Sequence, residues 1–152
     1  MFVRAFMFIF ISGQLLAQNA KNDEVLNKLM DEWHKNATLR QFDAYFAATS
    51  EDFEFYGTAP AEKWDKAGFQ AFCRPYFDSL GTWKFTPRNR VWHYAKKGKV
   101  AWFDEDLDTW MMDCRGSGVC EKTKEGWKLK YYNLSVVIEN EKIHQFIELR
   151  KN

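Results

Sequence analysis

The sequence predicts an α+β domain in which a curved antiparallel sheet, drawn mostly from the second half of the chain, is covered by helices drawn from the first half. Three observations carry this. Residues 99–138 alternate apolar and polar side chains over long stretches and contain a hairpin signal. Three earlier segments place apolar residues at the spacing of one helix face. Phe, Tyr and Trp make up 18% of the residues, enough ring area to fill a core and line a pocket.

The chain opens with Arg4, an apolar run from Ala5 to Ile11, and a stretch ending in the small residue Ala17. These are the parts of a secretory signal peptide. The apolar run is too short for a bilayer anchor, which needs roughly 20 residues. Residues 1–17 are therefore expected to be a leader, with residues 18–152 forming one domain of ordinary size that works in the periplasm or is secreted, without a stable membrane anchor. Loss of Arg4 brings the formal net charge from +1 to about zero. No basic cluster is present, which argues against a nucleic-acid partner.

The first helical pattern runs from about Asn22 to Asn36, with Leu26, Leu29, Met30 and Trp33 on one face. Thr38 and Gln41 are spaced as a capping box for a second helix carrying Leu39, Phe42, Tyr45 and Phe46. Phe53 to Gly57 alternates like a short strand, and Gly57-Thr58-Ala59-Pro60 is a turn. Asp65 can cap a third helix through Phe69, Phe72 and Cys73, interrupted at Pro75 and continued by Tyr76 and Phe77. Trp83 to Tyr94 reads as a strand with Arg88 and Arg90 on one face, and Lys96-Lys97-Gly98 turns into the next strand.

In that next strand, Lys99 to Trp110, Asp104, Asp106 and Asp108 share one face and Glu105 takes the other with Ala101, Phe103 and Leu107. Three carboxylates in a row belong in water, so Glu105 points inward. Lys124-Glu125-Gly126 then suits a type I turn followed by a left-handed glycine. The implied register opposes Thr123 to Trp127, Val119 to Tyr131, Ser117 to Asn133 and Arg115 to Ser135. It puts Arg115, Ser117, Tyr131, Asn133 and Ser135 on one face, where Arg115 is the partner expected for Glu105. Such a polar cluster in an aromatic concavity is either a small-molecule site or a structural ion pair bracing the sheet. Tyr132, Leu134 and Val136 then fall on the convex face as an apolar patch suited to dimerisation through the sheet. Asn140 to Arg150 reads as a short helix docking back through Ile143, Phe146 and Ile147.

The runs Ala101-Trp102-Phe103-Asp104-Glu105, Cys114-Arg115-Gly116-Ser117-Gly118-Val119, Gly126-Trp127-Lys128-Leu129 and Tyr131-Tyr132-Asn133-Leu134-Ser135 resemble the SnoaL-like branch of the nuclear-transport-factor-2-like superfamily. Phe55-Tyr56-Gly57-Thr58 with Glu62 and Trp64 fits the same branch. The resemblance implies a cone-shaped α+β barrel, a strongly bent antiparallel sheet with about three N-terminal helices closing a pocket. It also implies dimers formed through the sheet. Members of the branch include isomerases, dehydratases and cyclases, and also pocket proteins without a known reaction, so the fold alone does not choose a function. The Asp base and oxyanion-stabilising pair of the isomerase members match no motif here.

Other chemistries lack the residues they need. Cys114 and Cys120 are six residues apart on one strand, roughly 20 Å when extended, so they cannot bridge, and buried free thiols are the default for all three cysteines. Asp104, Asp106 and Asp108 imitate the start of a calcium loop, but Thr109 and Arg115 stand where Gly and Glu are required. His34, His93 and His144 have no second ligand at metal spacing. No metal and no cofactor is expected, since nucleophile elbows and phosphate-cradling glycine loops are absent. The candidates are then Glu105 and Arg115 for acid–base chemistry, and Trp64, Phe72, Tyr76, Phe103, Ser117, Tyr131, Asn133 and Ser135 for the pocket. Three readings stay open: a pocket for a small, largely apolar molecule, an acid–base enzyme on Glu105, and a homodimeric interaction module.

Overall fold

The computed structural model describes the backbone of residues 4–151 and side chains from residue 18 onward, Leu80 and Asn152 excepted. The expected leader, residues 1–17, lies outside the residues whose side chains are described. Helix α1 spans Arg4–Thr38 and α2 Phe42–Ala47. Strands β1 (Thr49–Tyr56) and β2 (Lys63–Asp65) follow, then α3 (Lys66–Pro75) and one π-helical turn, Tyr76–Leu80. Strands β3 (Thr86–Tyr94), β4 (Val100–Thr109), β5 (Met112–Thr123) and β6 (Gly126–Val136) complete the sheet, and α4 (Ile143–Leu149) ends the chain.

Helix α1 buries Leu26, Met30, Trp33 and Ala37, a stripe at three- and four-residue spacing, together with Asn22 and His34. It stops in a Schellman motif: Gln41 N donates to Asn36 O (2.8 Å) and Arg40 N to Ala37 O (3.0 Å), with Arg40 left-handed at φ +58°. This closure corrects the expected capping box. Thr38 is the last residue of α1 and its hydroxyl donates back to His34 O (3.3 Å), while α2 starts at Phe42 with no side-chain cap. Asp65 does cap α3, its carboxylate accepting from Gly68 N (2.8 Å). Pro75, which has no N–H to donate, ends that helix.

The six strands run in the order β2-β1-β6-β5-β4-β3. Four of the five pairings are antiparallel and β1 lies parallel to β6, so the sheet is mixed rather than purely antiparallel. It is strongly bent, and register shifts interrupt β1 between Thr49 and Glu54, β3 between Arg88 and Val91, and the β5–β6 pair at Val119 and Cys120. Its concave face carries Phe53, Phe55, Ala101, Phe103, Leu107, Cys114, Cys120, Leu129 and Tyr132, packed under Met30, Trp33, Tyr45, Phe46 and Phe69. All three cysteines are free and buried.

The hairpin shows how a single extra residue changes a face. Gly126 takes φ +116°, as its turn requires. Yet Thr123 pairs with Gly126 and Lys122 with Trp127, one step short of the expected register. Lys130 then bulges out of β6, which restores the expected pairs from Val119↔Tyr131 to Arg115↔Ser135. Across β4 and β5, Glu105 faces Gly116 while Asp104 faces Ser117 and Asp106 faces Arg115. Residues directly opposed share a face. Hence Glu105 goes inward with Gly116 and Gly118, and Arg115, Ser117, Asn133 and Ser135 go outward with the aspartates. The anticipated convex patch is likewise corrected, because Tyr132 (1% exposed) and Leu134 (6%) lie on the concave side.

The last helix does not dock as expected. Ile143, Phe146 and Ile147 remain 41%, 36% and 43% exposed. Seven residues without a side-chain cap place only Phe146 and Arg150 beside the turn from Tyr56 to Lys63, which leaves the apolar stripe open.

Candidate functional site

Glu105 is the one acidic side chain on the concave face that β4 buries completely, and the chain surrounds it with donors. His34 Nε2 donates to its Oε1 (2.7 Å), and so does the Tyr132 hydroxyl (2.8 Å). Arg90 approaches Oε2 through Nε (2.8 Å) and Nη2 (2.7 Å). Arg90 is itself tied to α1, its Nη1 reaching Asp31 Oδ1 (2.9 Å) and Asn27 Oδ1 (3.2 Å), and Trp92 Nε1 donates to the same Asn27 oxygen (2.8 Å). One turn earlier the Tyr94 hydroxyl donates to Asp23. Asp23, Asn27 and Asp31 follow one another at four-residue spacing, a polar stripe on α1 that meets β3.

Arg90 can reach Glu105 only because of the bulge in β3. Asn89 and Arg90 together oppose Glu105, and Asn89 adopts φ +50°, a conformation that asparagine accepts more readily than most residues. The extra residue sends Arg88 outward to Asp108 (2.7 Å) and Asp113 (3.0 Å), and Arg90 inward. The two arginines expected on one face thus lie on opposite faces.

Space for the cluster comes from Gly116. A Cβ there would stand 2.1 Å from the Tyr132 hydroxyl and 3.1 Å from Glu105 Cγ. Gly118 does the same for Phe103, whose ring would be 2.5 Å from an added Cβ. These glycines leave room on the inner face of the sheet for the side chains crossing it. Burial acts to raise the Glu105 carboxyl pKa, but the His34 hydrogen bond and charge, Arg90 and the Tyr132 hydroxyl outweigh it and hold the pKa below the usual glutamate value. Burial and the neighbouring Glu105 carboxylate push the Tyr132 phenol well up. At neutral pH the pair is a carboxylate accepting from a protonated phenol.

Beside this cluster lies a cavity of about 360 Å³. Trp33, Tyr45, Phe69 and Tyr132, all almost wholly buried, form its inner wall. Trp64, Phe72 and Tyr76 add a row of rings from the α3 side, Trp64 stacked on Phe72 with centroids 4.5 Å apart and Tyr76 tilted against Phe72 at 5.3 Å. Trp83, Phe85, Met111 and the exposed Trp110 continue the wall toward the rim. Glu62 is the one charged side chain among the described lining residues, none of which is Lys, Arg or His. Its carboxylate folds back against Gly57 and accepts from Ala59 N (3.0 Å).

Of the residues expected from sequence, Trp64, Phe72 and Tyr76 meet at this cavity. Phe103 is buried behind it, in contact with Tyr132 and Trp92. Arg115 is exposed on the outer face, so it cannot pair with Glu105. Ser117 bonds Asp104 (2.6 Å), Asn133 bonds Ser135 (3.0 Å), and Tyr131 packs on Tyr56, all on that same outer face. His34 and Arg90 in the cluster, and Trp33, Tyr45, Phe69, Trp83 and Tyr132 on the cavity wall, are among the residues that sequence reasoning did not assign to the site. His34 was findable, since it continues the buried Leu26–Met30 row by one further step of four. Arg90 was hidden by the bulge.

A family model for the SnoaL-like domain matches residues 26–139. No protein of curated function matches the chain. Among solved structures, an NTF2-like protein of unknown function from Pseudomonas putida is 14% identical with a TM-score of 0.66, over 80% of this chain and 91% of that one. A protein from Novosphingobium aromaticivorans provisionally named a scytalone dehydratase is 12% identical, TM-score 0.68, over 81% and 89%. A domain of unknown function with a cystatin-like fold from Nostoc punctiforme is 12% identical, TM-score 0.71, over 86% of each chain. At such identities the likeness shows the fold and nothing of the reaction. The matched span covers most of the chain, and the protein belongs to the SnoaL-like domain family, with the NTF2-like fold.

Proposed function

We propose that this protein binds a small, flat, uncharged and largely apolar molecule in the cavity between α3 and the concave sheet face. The observation that carries the proposal is the lining itself: aromatic rings on every side, one carboxylate near the rim and no cation among the described residues. Rings bury flat apolar surface at about 25 cal/mol per Å², whereas an anion would enter with no cation among the described lining residues to pair with and facing Glu62. Within this reading Glu105 anchors the wall. Both its oxygens are occupied and its side chain is fully buried, while a general base must come within hydrogen-bond reach of the proton it takes.

The proposed place of action is outside the cytoplasm, after cleavage behind Ala17. In support, Arg4, the short apolar run from Ala5 to Ile11 and the small residue Ala17 have the make-up of a leader. Ligand-observed NMR with ethylbenzene, acetophenone and benzoate tests the pocket. The two neutral compounds should bind, and benzoate at least tenfold more weakly than either. Benzoate binding as tightly as the neutral pair would overturn the proposal.

A further inference from the structure

Glu62 stands apart from the cluster around Glu105, as the one charged side chain among the described residues of the cavity wall. Strand pairing fixes the face it takes. Phe55 pairs with Trp64 and Tyr56 with Lys63, and the next step of the same ladder opposes Gly57 to Glu62, with Gly57 N donating to Glu62 O (2.9 Å). Side chains alternate along a strand, and opposed residues share a face. Phe55 and Trp64 line the cavity, so Gly57 and Glu62, each two residues away, return to that side. Gly57 agrees, because a Cβ on it would run into the Glu62 carboxylate. The side chain therefore lies across the inner face of the turn, in space that the glycine leaves free. There the carboxylate has acceptor capacity to spare: Oε2 accepts from Ala59 N (3.0 Å), and Oε1 has no hydrogen-bond partner among the described residues. Unlike the sealed Glu105, Glu62 is only half-buried, so a molecule entering the cavity can meet it.

Resting on the pocket reading above, we propose that Glu62 is the cavity's polar recognition group, and that it accepts a hydrogen bond from an N–H or O–H on an uncharged ring ligand. The rings of Trp64, Phe72 and Tyr76 take the flat apolar body. A carboxylate can only accept. A ligand with a donor at that end gains a charge-assisted bond, whereas a bare ring or an ether oxygen meets only lone pairs. Water can still solvate the half-buried oxygen when no donor arrives, so the preference is moderate rather than absolute.

The test compares indole with benzofuran, two flat bicyclic rings of the same shape that differ in the donor. The N–H of indole donates and does not accept. Affinities are measured by ligand-observed NMR on the wild-type protein and on Glu62→Gln, whose amide oxygen can still accept from Ala59 N while its NH2 group replaces the free oxygen. Wild type should bind indole at least about fivefold more tightly than benzofuran. Glu62→Gln should lose that preference, bind benzofuran at least as well as before and melt where wild type does. Equal affinity of the wild-type protein for both rings, or a preference that survives Glu62→Gln, would overturn the recognition role and leave the pocket standing. Failure of both rings to bind would overturn the pocket reading and this inference with it.

Discussion

Glu105 concentrates the most energy into one side chain. A fully buried carboxylate is tolerable only when donors replace its lost water, and His34, Arg90 and Tyr132 do so. Glu105→Gln leaves Arg90 buried beside a neutral partner and should cost about 3 kcal/mol in a urea titration, the scale for breaking a buried pair. The same carboxyl sets a pH dependence. Its folded pKa lies below the unfolded one, so its contribution is present above the ordinary glutamate range and is lost as pH falls through the folded value. Acid unfolding followed by circular dichroism should be steeper in wild type than in Glu105→Gln. Tyr45→Phe should move stability the other way, by about 1 kcal/mol upward, because it removes a buried hydroxyl that has no partner.

Among the elements, β5 and β6 decide where the site can form. Gly116→Ala would push a methyl onto the Tyr132 hydroxyl and should cost about 2 kcal/mol or more, as overpacking does when it also breaks a hydrogen bond. Comparing its thermal unfolding with that of Glu105→Gln checks whether the two losses overlap; they should fall short of additive in the double variant, since both act through Tyr132. Much of this level was legible beforehand. The inward turn of Glu105 followed from three flanking aspartates and the cap on α3 from Asp65, while Trp64, Phe72 and Tyr76, expected together as the helical wall that the resemblance implies, meet at one cavity. The bulges were not legible. Asn89 and Lys130 each add one residue to a ladder with a period of two, which reverses every assignment beyond them. That is why Arg115, Asn133 and Ser135 were placed inside, and why Arg90 was missed.

For the whole molecule, the fold pairs a buried polar cluster with an open aromatic cavity, and Tyr132 belongs to both, its ring on the wall and its hydroxyl on Glu105. The cluster holds α1 against β3 and β4, so the cavity is shaped before any ligand arrives. The claim that the cavity receives the ligand is tested most directly by the indole N–H resonances of the seven tryptophans during an acetophenone titration. The account predicts that Trp33, Trp64 and Trp83, which line the cavity, shift, while Trp102 and Trp127 stay in place. Shifts confined to Trp92, Trp102 or Trp127, or no shift at all, would contradict it.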